Sequence, residues 1–413
     1  MADETKITFV GDMLCGRPTL EEFAVADGWD FKPVFAGVRD FLGDSDYVVG
    51  NLETPITLDG DNLTHERWCF NSPAQFAEAV KWAGVDFVTT ANNHCLDRGT
   101  RGIVSTIRAL DAVGLRHTGT FADRESAVAP NIVEIGGFRL GFLSYTYGTN
   151  AFSNHEYLKP EETFMVNLFQ EQELAEPLAR KWMWERESPE AKIYEEMERK
   201  RWPENLMLPV YERVAAHEVQ RAHLADDVRR LRTQSPDFTV MGMHTGGQYN
   251  DVASRWTKEL ADFIHGCGVD IVYGTHEHVV HGGDFSRIGE NRLTTYCLGD
   301  FASQHGVIQP PDAIGKYPQY SVAWHLYLAR DAQGCARISR TSFSVMLARP
   351  GNPPRRIGVV PACEAWRKEG DAAVRDRLAD EIRAVARRFT GRPCEDLAIA
   401  PEYFLAPDGT PSA

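Results

Sequence analysis

A short apolar run at residues 269–273 has the length of a buried strand, and it ends in Gly274-Thr275-His276-Glu277-His278. This ending constrains the fold more than any other stretch of the chain. His276 and His278 are two positions apart, so on an extended or turning backbone both imidazoles can face one point about 2.0 to 2.1 Å from each nitrogen, as a divalent cation requires. Glu277, between them, is expected to point away. Other apolar runs finish in the same manner: residues 6–10 at Gly11-Asp12, residues 47–50 at Asn51-Leu52-Glu53, residues 85–90 at Ala91-Asn92-Asn93-His94, and residues 238–242 at Met243-His244. Helical periodicity follows at 99–113, 210–232 and 252–265. Strands alternating with helices predict an α/β fold, and α/β sheets gather their chemistry at the carboxyl ends of strands. One polar residue at a strand end is ordinarily a cap or a turn, as Asp12 would be alone. Carboxylate, carboxylate, Asn-His, His and His-x-His together predict convergence on one site.

Between these strands, residues 132–135 and 140–144 read as a hairpin across Gly136-Gly137. Residues 149–205 then break the alternation. They are dense in Glu, Lys and Arg, read as helical over 171–200, and carry Trp182, Trp184 and Trp202. A charge-laced helical face is solvated, while its tryptophans suit a lid over the strand ends or a contact between copies of the chain, making a homo-oligomer through 149–205 an expectation. Residues 293–346 are β-rich and read as a second sheet closing the domain. The expected organisation is one domain over 1–347 with the 149–205 helical insertion, and a C-terminal extension over 348–413 with one helix near 371–389.

A formal charge of −15 argues against nucleic acid or an anionic membrane surface as partner. Eight cysteines lie scattered with no C-x-x-C pair, so reduced thiols are expected rather than a zinc knuckle or a disulfide framework. Nothing resembling a signal core precedes residue 7, and no apolar run reaches the roughly 18 residues of a membrane span, which predicts a cytoplasmic protein without a membrane anchor.

The order Gly11-Asp12-Met13-Leu14, Asn51-Leu52-Glu53-Thr54-Pro55, Ala91-Asn92-Asn93-His94, His244-x-Gly246 and Gly274-x-His276-x-His278 resembles the CapA family of capsule-synthesis and poly-γ-glutamate-biosynthesis proteins, relatives of the calcineurin-like metallophosphoesterases. Leu298-Gly299-Asp300-Phe301 is similar to the family's closing motif, although the family usually carries Asn where Asp300 stands. The resemblance implies a metallophosphoesterase-like αββα sandwich. It also implies two adjacent metals: Asp12 and His278 on the first, Asn93, His244 and His276 on the second, with Glu53 bridging. Leu14 stands where the wider superfamily has a metal-binding His, so the first site is short of ligands, which leaves it weak, completed by water or Cys15, or empty. Glu53 replaces a bridging Asp and is one methylene longer.

Mixed nitrogen and oxygen ligation of this kind suits one or two divalent ions of Zn, Mn or Fe. His94, beside a ligand without being one, is the candidate proton donor, and Asp97 could orient it or simply offset the helix N-terminus. Arg17 and Arg98 are candidates for binding an anionic substrate, and His281 and His305 for supporting the ligands. Two functions follow from the resemblance. One is a metal-dependent hydrolase of a phosphoester or amide-type bond in a small molecule or an anionic polymer. The other is a non-catalytic or accessory component in making or exporting an anionic polymer of the poly-γ-glutamate type.

Overall fold

A computed structural model describes residues 4–65, 69–170, 172, 216–303, 315–349 and 357–413. Its elements begin with β1 (Thr5–Met13), β2 (Tyr47–Leu52), α1 (Ala74–Trp82), β3 (Phe87–Thr89), α2 (Gly99–Ala112), β4 (Arg116–Thr118) and the hairpin of β5 (Ile132–Ile135) and β6 (Phe138–Thr146). Next come α3 (Ala216–Arg232), β7 (Phe238–His244), α4 (Arg255–Gly266), β8 (Ile271–Thr275), β9 (Gly283–Arg287), β10 (Arg292–Thr295) and β11 (Asp300–Ala302). Last are β12 (Tyr320–Arg330), β13 (Ala336–Arg349), β14 (Gly358–Pro361), α5 (Ala362–Lys368), α6 (Ala372–Thr390), β15 (Tyr403–Leu405) and β16 (Pro411–Ser412).

A ten-stranded sheet runs β16-β15-β13-β12-β1-β2-β3-β4, with β11 beside β1 and β14 beside β13, and a six-stranded sheet runs β9-β10-β8-β7-β6-β5. Side chains alternate between the faces of a strand, so each sheet has an inner and an outer set. Ile7, Phe9, Val49 and Phe87 of the first sheet share one buried cluster with Leu140, Phe142, Val240 and Tyr273 of the second. Phe9 packs on Tyr273 at 5.1 Å between ring centroids, and Phe87 stacks on Phe142 at 4.4 Å. Each such side chain contributes roughly 1.5 to 3 kcal/mol by leaving water. Outside the first sheet, Val10, Val48 and Val88 pack with Phe76 and Val80 of α1. Outside the second, Met241 and Val272 pack with Leu224 and Val228 of α3 and Leu260 and Ile264 of α4. The result is the αββα sandwich expected of a metallophosphoesterase-like fold.

The parallel run β1, β2, β3 and β4 and the parallel run β6, β7, β8 and β10 both deliver their carboxyl ends to polar residues. Close backbone approach brings the two runs together there. Asp12 N–H donates to Gly299 C=O at 3.1 Å, and β11 pairs parallel with β1 so that Asp12 and Asp300 are register partners. A Cβ on Gly11 would stand 1.7 Å from Gly299 oxygen, which is why glycine occupies this position.

Two expectations about the tail need correction. Residues 293–346 do not form one closing sheet: β10 extends the second sheet, whereas β12 and β13 lie on the first, antiparallel to β1 and to each other. Nor is 348–413 an appendage with one helix. β13 runs on to Arg349, β14 and β15 pair with it, and β16 pairs with β15, while α5 precedes the expected helix. Ile382, Val385 and Phe389 of α6 belong to the inter-sheet core. Strands of two to four residues are too short to carry a readable period, so only packing reveals them.

The start of the insertion is packed against the sandwich. Thr120 bridges to Val166 and Thr146 to Leu168, and Gln172 ties back to the Thr149 hydroxyl at 3.0 Å. The expected helix at 171–200 with Trp182 and Trp184 lies outside the described residues apart from Gln172, as do Trp202 and His305. Gly11→Ala is expected to force β1 away from Gly299 and to cost about 1 to 3 kcal/mol, the usual scale of overpacking. Urea unfolding checks this, and an unchanged midpoint would show that the contact can relax without cost.

Candidate metal centre

The site is built where the two parallel runs end. Asp12, Glu53, Asn93, His244, His276 and His278 are all buried there. They separate into two groups. Glu53, His244 and His276 offer ligand atoms all within 4.8 Å of one another, and so do Asp12, His278 and Asp300. Asn93 joins the first group, its Oδ1 2.8 Å from His244 Nε2. Asp300, placed by its pairing with β1, is a site residue that the ligand assignment from sequence leaves out. Its signal was present in the Gly-Asp-Phe turn after Leu298, another polar residue following an apolar run.

Local backbone geometry explains why two histidines two apart serve different groups. His276 and His278 both take positive φ, 104° and 59°, an unfavourable region for residues with a Cβ. The turn sends the intervening Glu277 elsewhere, as expected. Its Oε1 accepts the Gly247 N–H at 2.7 Å and its Oε2 pairs with His281 Nδ1 at 2.6 Å. His281 Nε2 in turn donates to Asn250 C=O at 2.7 Å, so His281 supports the loop after β7 rather than touching the ligands.

Hydrogen bonds hold the ligands in orientation. His244 Nδ1 lies 2.8 Å from Thr275 Oγ1, leaving Nε2 to face Asn93 and Glu53. Asp12 Oδ2 accepts the His276 N–H at 3.0 Å, and its Oδ1 accepts Asn51 Nδ2 at 2.7 Å. Thr89 Oγ1 donates to Asn51 Oδ1 and receives Tyr273 O–H, each at 3.1 Å, so Asp12 stands at the end of a buried chain. Asn51 is a second residue whose role the sequence reading missed. Outer partners of this kind typically tune metal affinity by about 10 to 100-fold.

Burial and mutual charge set the protonation of the site without a cation. Asp12 is pushed up to about 6, chiefly by burial and also by Asp300, against the pull of His278. Burial, then the carboxylates of Asp12 and Asp300, hold Glu53 well above the usual carboxylate range. His244 and His276 are driven well below the usual imidazole range by burial and by neighbouring histidines, His94 among them. Burial opposes the His278 cation, but Asp300 and Asp12 outweigh it and raise its pKa. Glu53 is fully buried, yet neither carboxylate oxygen has a hydrogen-bond partner among the described residues, and His244 Nε2 at 3.5 Å is its nearest ion-pair contact. An unsatisfied buried carboxylate is costly unless a cation meets it. Neutral imidazoles, an amide oxygen and three carboxylates are together a fitting donor set for divalent transition metals.

Residues 6–305 match the family described as "Bacterial capsule synthesis protein PGA_cap". The chain belongs to that family. PGA_cap proteins have a metallophosphoesterase-like fold, in accord with the sandwich described above. The chain is 26% identical over 318 residues to the "Capsule biosynthesis protein CapA" of Bacillus anthracis, covering 75% of this chain and 62% of that relative. It is 21% identical over 358 residues to the "PGA biosynthesis protein CapA" of Bacillus subtilis, covering 84% of this chain and 73% of that one. A 92-residue stretch is 32% identical to a "Probable polyglutamine synthesis accessory protein" of Mycobacterium tuberculosis, 22% of this chain and 24% of that one. This PGA_cap chain thus spans under two thirds of the length of the Bacillus anthracis protein.

Two candidate residues have other tasks. Arg17 pairs with Glu21 at 2.7 Å on an exposed helix face, and Arg98 holds the carbonyls of Asn62 and Cys69 at 3.0 and 3.3 Å. Both guanidinium groups are engaged away from the ligands, because Arg98 opens α2 and folds back over the loop that carries Phe70. Leu14 is buried, and Cys15 belongs to neither ligand group, its thiol pushed up to about 12 by burial. Among the described residues, no helix is long and apolar enough to cross a membrane.

Protein purified without chelator is expected to carry at least one transition metal per chain, and His244→Ala or His276→Ala to lose it and to melt lower, since a ligand bound only by the native state stabilises it. Elemental analysis decides this, and wild-type protein that stays metal-free after supplementation contradicts the assignment. The raised carboxyl pKa values give a second expectation. In the metal-free protein their stabilising contribution is present below the usual carboxylate range and is lost as pH rises through about 6 for Asp12. A cation must displace those protons, so the Asp12 contribution should make affinity rise as pH is raised towards about 6 and level off above it. Calorimetry in buffers of different ionisation enthalpy reads the released protons, and pH-independent binding would contradict it.

Proposed function

We propose that this PGA_cap protein is a metal-dependent hydrolase of a phosphoester or amide-type bond, acting on a small molecule or an anionic polymer within capsule or polyglutamate-type synthesis. One observation supports a catalytic reading above all: a buried His-Asp pair beside the ligand Asn93. His94 Nδ1 lies 2.8 Å from Asp97 Oδ2. The same Asp97 oxygen accepts the Phe70 N–H at 2.6 Å, and its other oxygen accepts Asn154 Nδ2 from the packed start of the insertion. Phe70 covers the imidazole at 4.4 Å between ring centroids. Asp97 is thus a carboxylate anchored by three donors, and it directs the His94 Nδ1 proton inward, leaving Nε2 as the nitrogen for proton transfer.

Divalent ions held by Asp12, Glu53, Asn93, His244, His276, His278 and Asp300 would supply Lewis acidity and lower the pKa of a coordinated water towards about 7. The chain supplies the remainder. His94 would protonate the leaving group, and Asp97 would keep its tautomer. The metals would also draw a substrate's anionic group.

An accessory reading is supported by the polyglutamine synthesis accessory protein among the relatives. His94 separates the two. His94→Ala is expected to retain fold and metal but to lose about two to four orders of magnitude in turnover. The screen uses p-nitrophenyl phosphate, its diester and γ-glutamyl amides, with Zn, Mn or Fe supplied. If no bond is cleaved by the metal-loaded wild type while polyanion binding is equal in wild type and His94→Ala, the accessory reading replaces the hydrolase.

A further inference from the structure

The two ligand groups differ in chemistry. Asp12, His278 and Asp300 offer two carboxylates and one imidazole, whereas Glu53, His244, His276 and Asn93 offer two imidazoles, one carboxylate and an amide. Imidazoles suit zinc, while carboxylate-rich sets suit harder ions such as manganese. Asp300 creates this contrast. Its Cα is the register partner of Asp12, its Oδ1 lies 2.7 Å from His278 Nδ1, and its Oδ2 accepts the Ser303 hydroxyl. The carboxylate is therefore held at both oxygens on the side of the site where Leu14 offers no ligand. With Asp300, three carboxylates (Asp12, Glu53 and Asp300) lie fully buried at one site. One divalent ion leaves a negative charge uncompensated in a low dielectric, and a second one removes that deficit.

We infer that Asp300 supplies the ligand that Leu14 cannot, and that the centre is a mixed one, with zinc on the His244–His276 side and manganese on the Asp12–Asp300 side. This rests on the metal-dependent reading above. Asp300→Asn tests it because the amide preserves shape and the Ser303 contact while removing the charge. Chelator-stripped wild type and Asp300→Asn are loaded with zinc and manganese together, desalted and analysed for metal content, and free manganese is titrated by its electron paramagnetic resonance signal. Thermal melting of the zinc-loaded forms confirms that both are folded.

The wild type is expected to hold about one zinc and one manganese per chain. Asp300→Asn should keep the zinc and bind manganese at least about tenfold more weakly, the lower end of what lost support costs a metal site. His276→Ala should show the reverse, losing zinc first. If Asp300→Asn fails to fold, anomalous scattering at the manganese edge from wild-type crystals gives the answer, with manganese next to Asp300 expected. Manganese equally well bound by Asp300→Asn, manganese located beside His244, or wild type holding two zincs overturns the inference and leaves metal dependence standing. Wild type that holds no metal overturns both.

Discussion

Three buried carboxylates at the meeting of two sheets are the constraint around which this protein is arranged. Asp12, Glu53 and Asp300 lie fully out of water with neutral imidazoles as their nearest titratable neighbours, apart from His278. Such a cluster opposes its own ionisation, and burial raises the pKa of Asp12 and Glu53 accordingly. The arrangement becomes favourable only when positive charge enters. Cation binding and the integrity of this region are therefore one thermodynamic problem, with the backbone contact of Gly11 on Gly299 and the strained turn at His276 and His278 forming part of the cost.

The rest of the sandwich can be understood as holding that cluster in place. Parallel strands from both sheets end at a common edge, so the candidate ligands Asp12, Glu53, Asn93, His244, His276 and His278 arrive from five strands with little freedom, and a buried chain from Tyr273 through Thr89 and Asn51 fixes Asp12. The Glu277–His281 pair performs a parallel task on the loop after β7. The first part of the insertion also takes part: Asn154 reaches Asp97, and Glu156 lies against Gly99 at the opening of α2. A segment that interrupts the family pattern thus bears on the residue pair proposed for proton transfer. Its contacts couple the conformation of residues 149–170 to the orientation of His94.

Much of this was legible in the sequence because strand period and strand-end chemistry are local. The run into Gly274-Thr275-His276-Glu277-His278, and its counterparts at Asp12, Glu53, Asn93-His94 and His244, determined an α/β sandwich with these residues at one edge. The order of those motifs determined the family. Asp97 was legible too, since a carboxylate three residues after His94 in a turn lies within reach of the imidazole.

Tertiary structure decided what depends on distant pairing. Asp300 stands beside Asp12 and His278 because β11 returns beside β1, a pairing that the Gly-Asp-Phe turn after Leu298 hinted at but could not specify. Arg98 was drawn away from the ligands by carbonyls in a loop some thirty residues earlier, a competition that sequence proximity to His94 cannot express. The tail joined the first sheet instead of standing apart because β12 found β1, nearly the whole chain length away, and because two-residue strands acquire an identity only from a neighbour. Periodicity determines which face of an element is apolar, but which faces and edges meet is settled by the burial of the whole core.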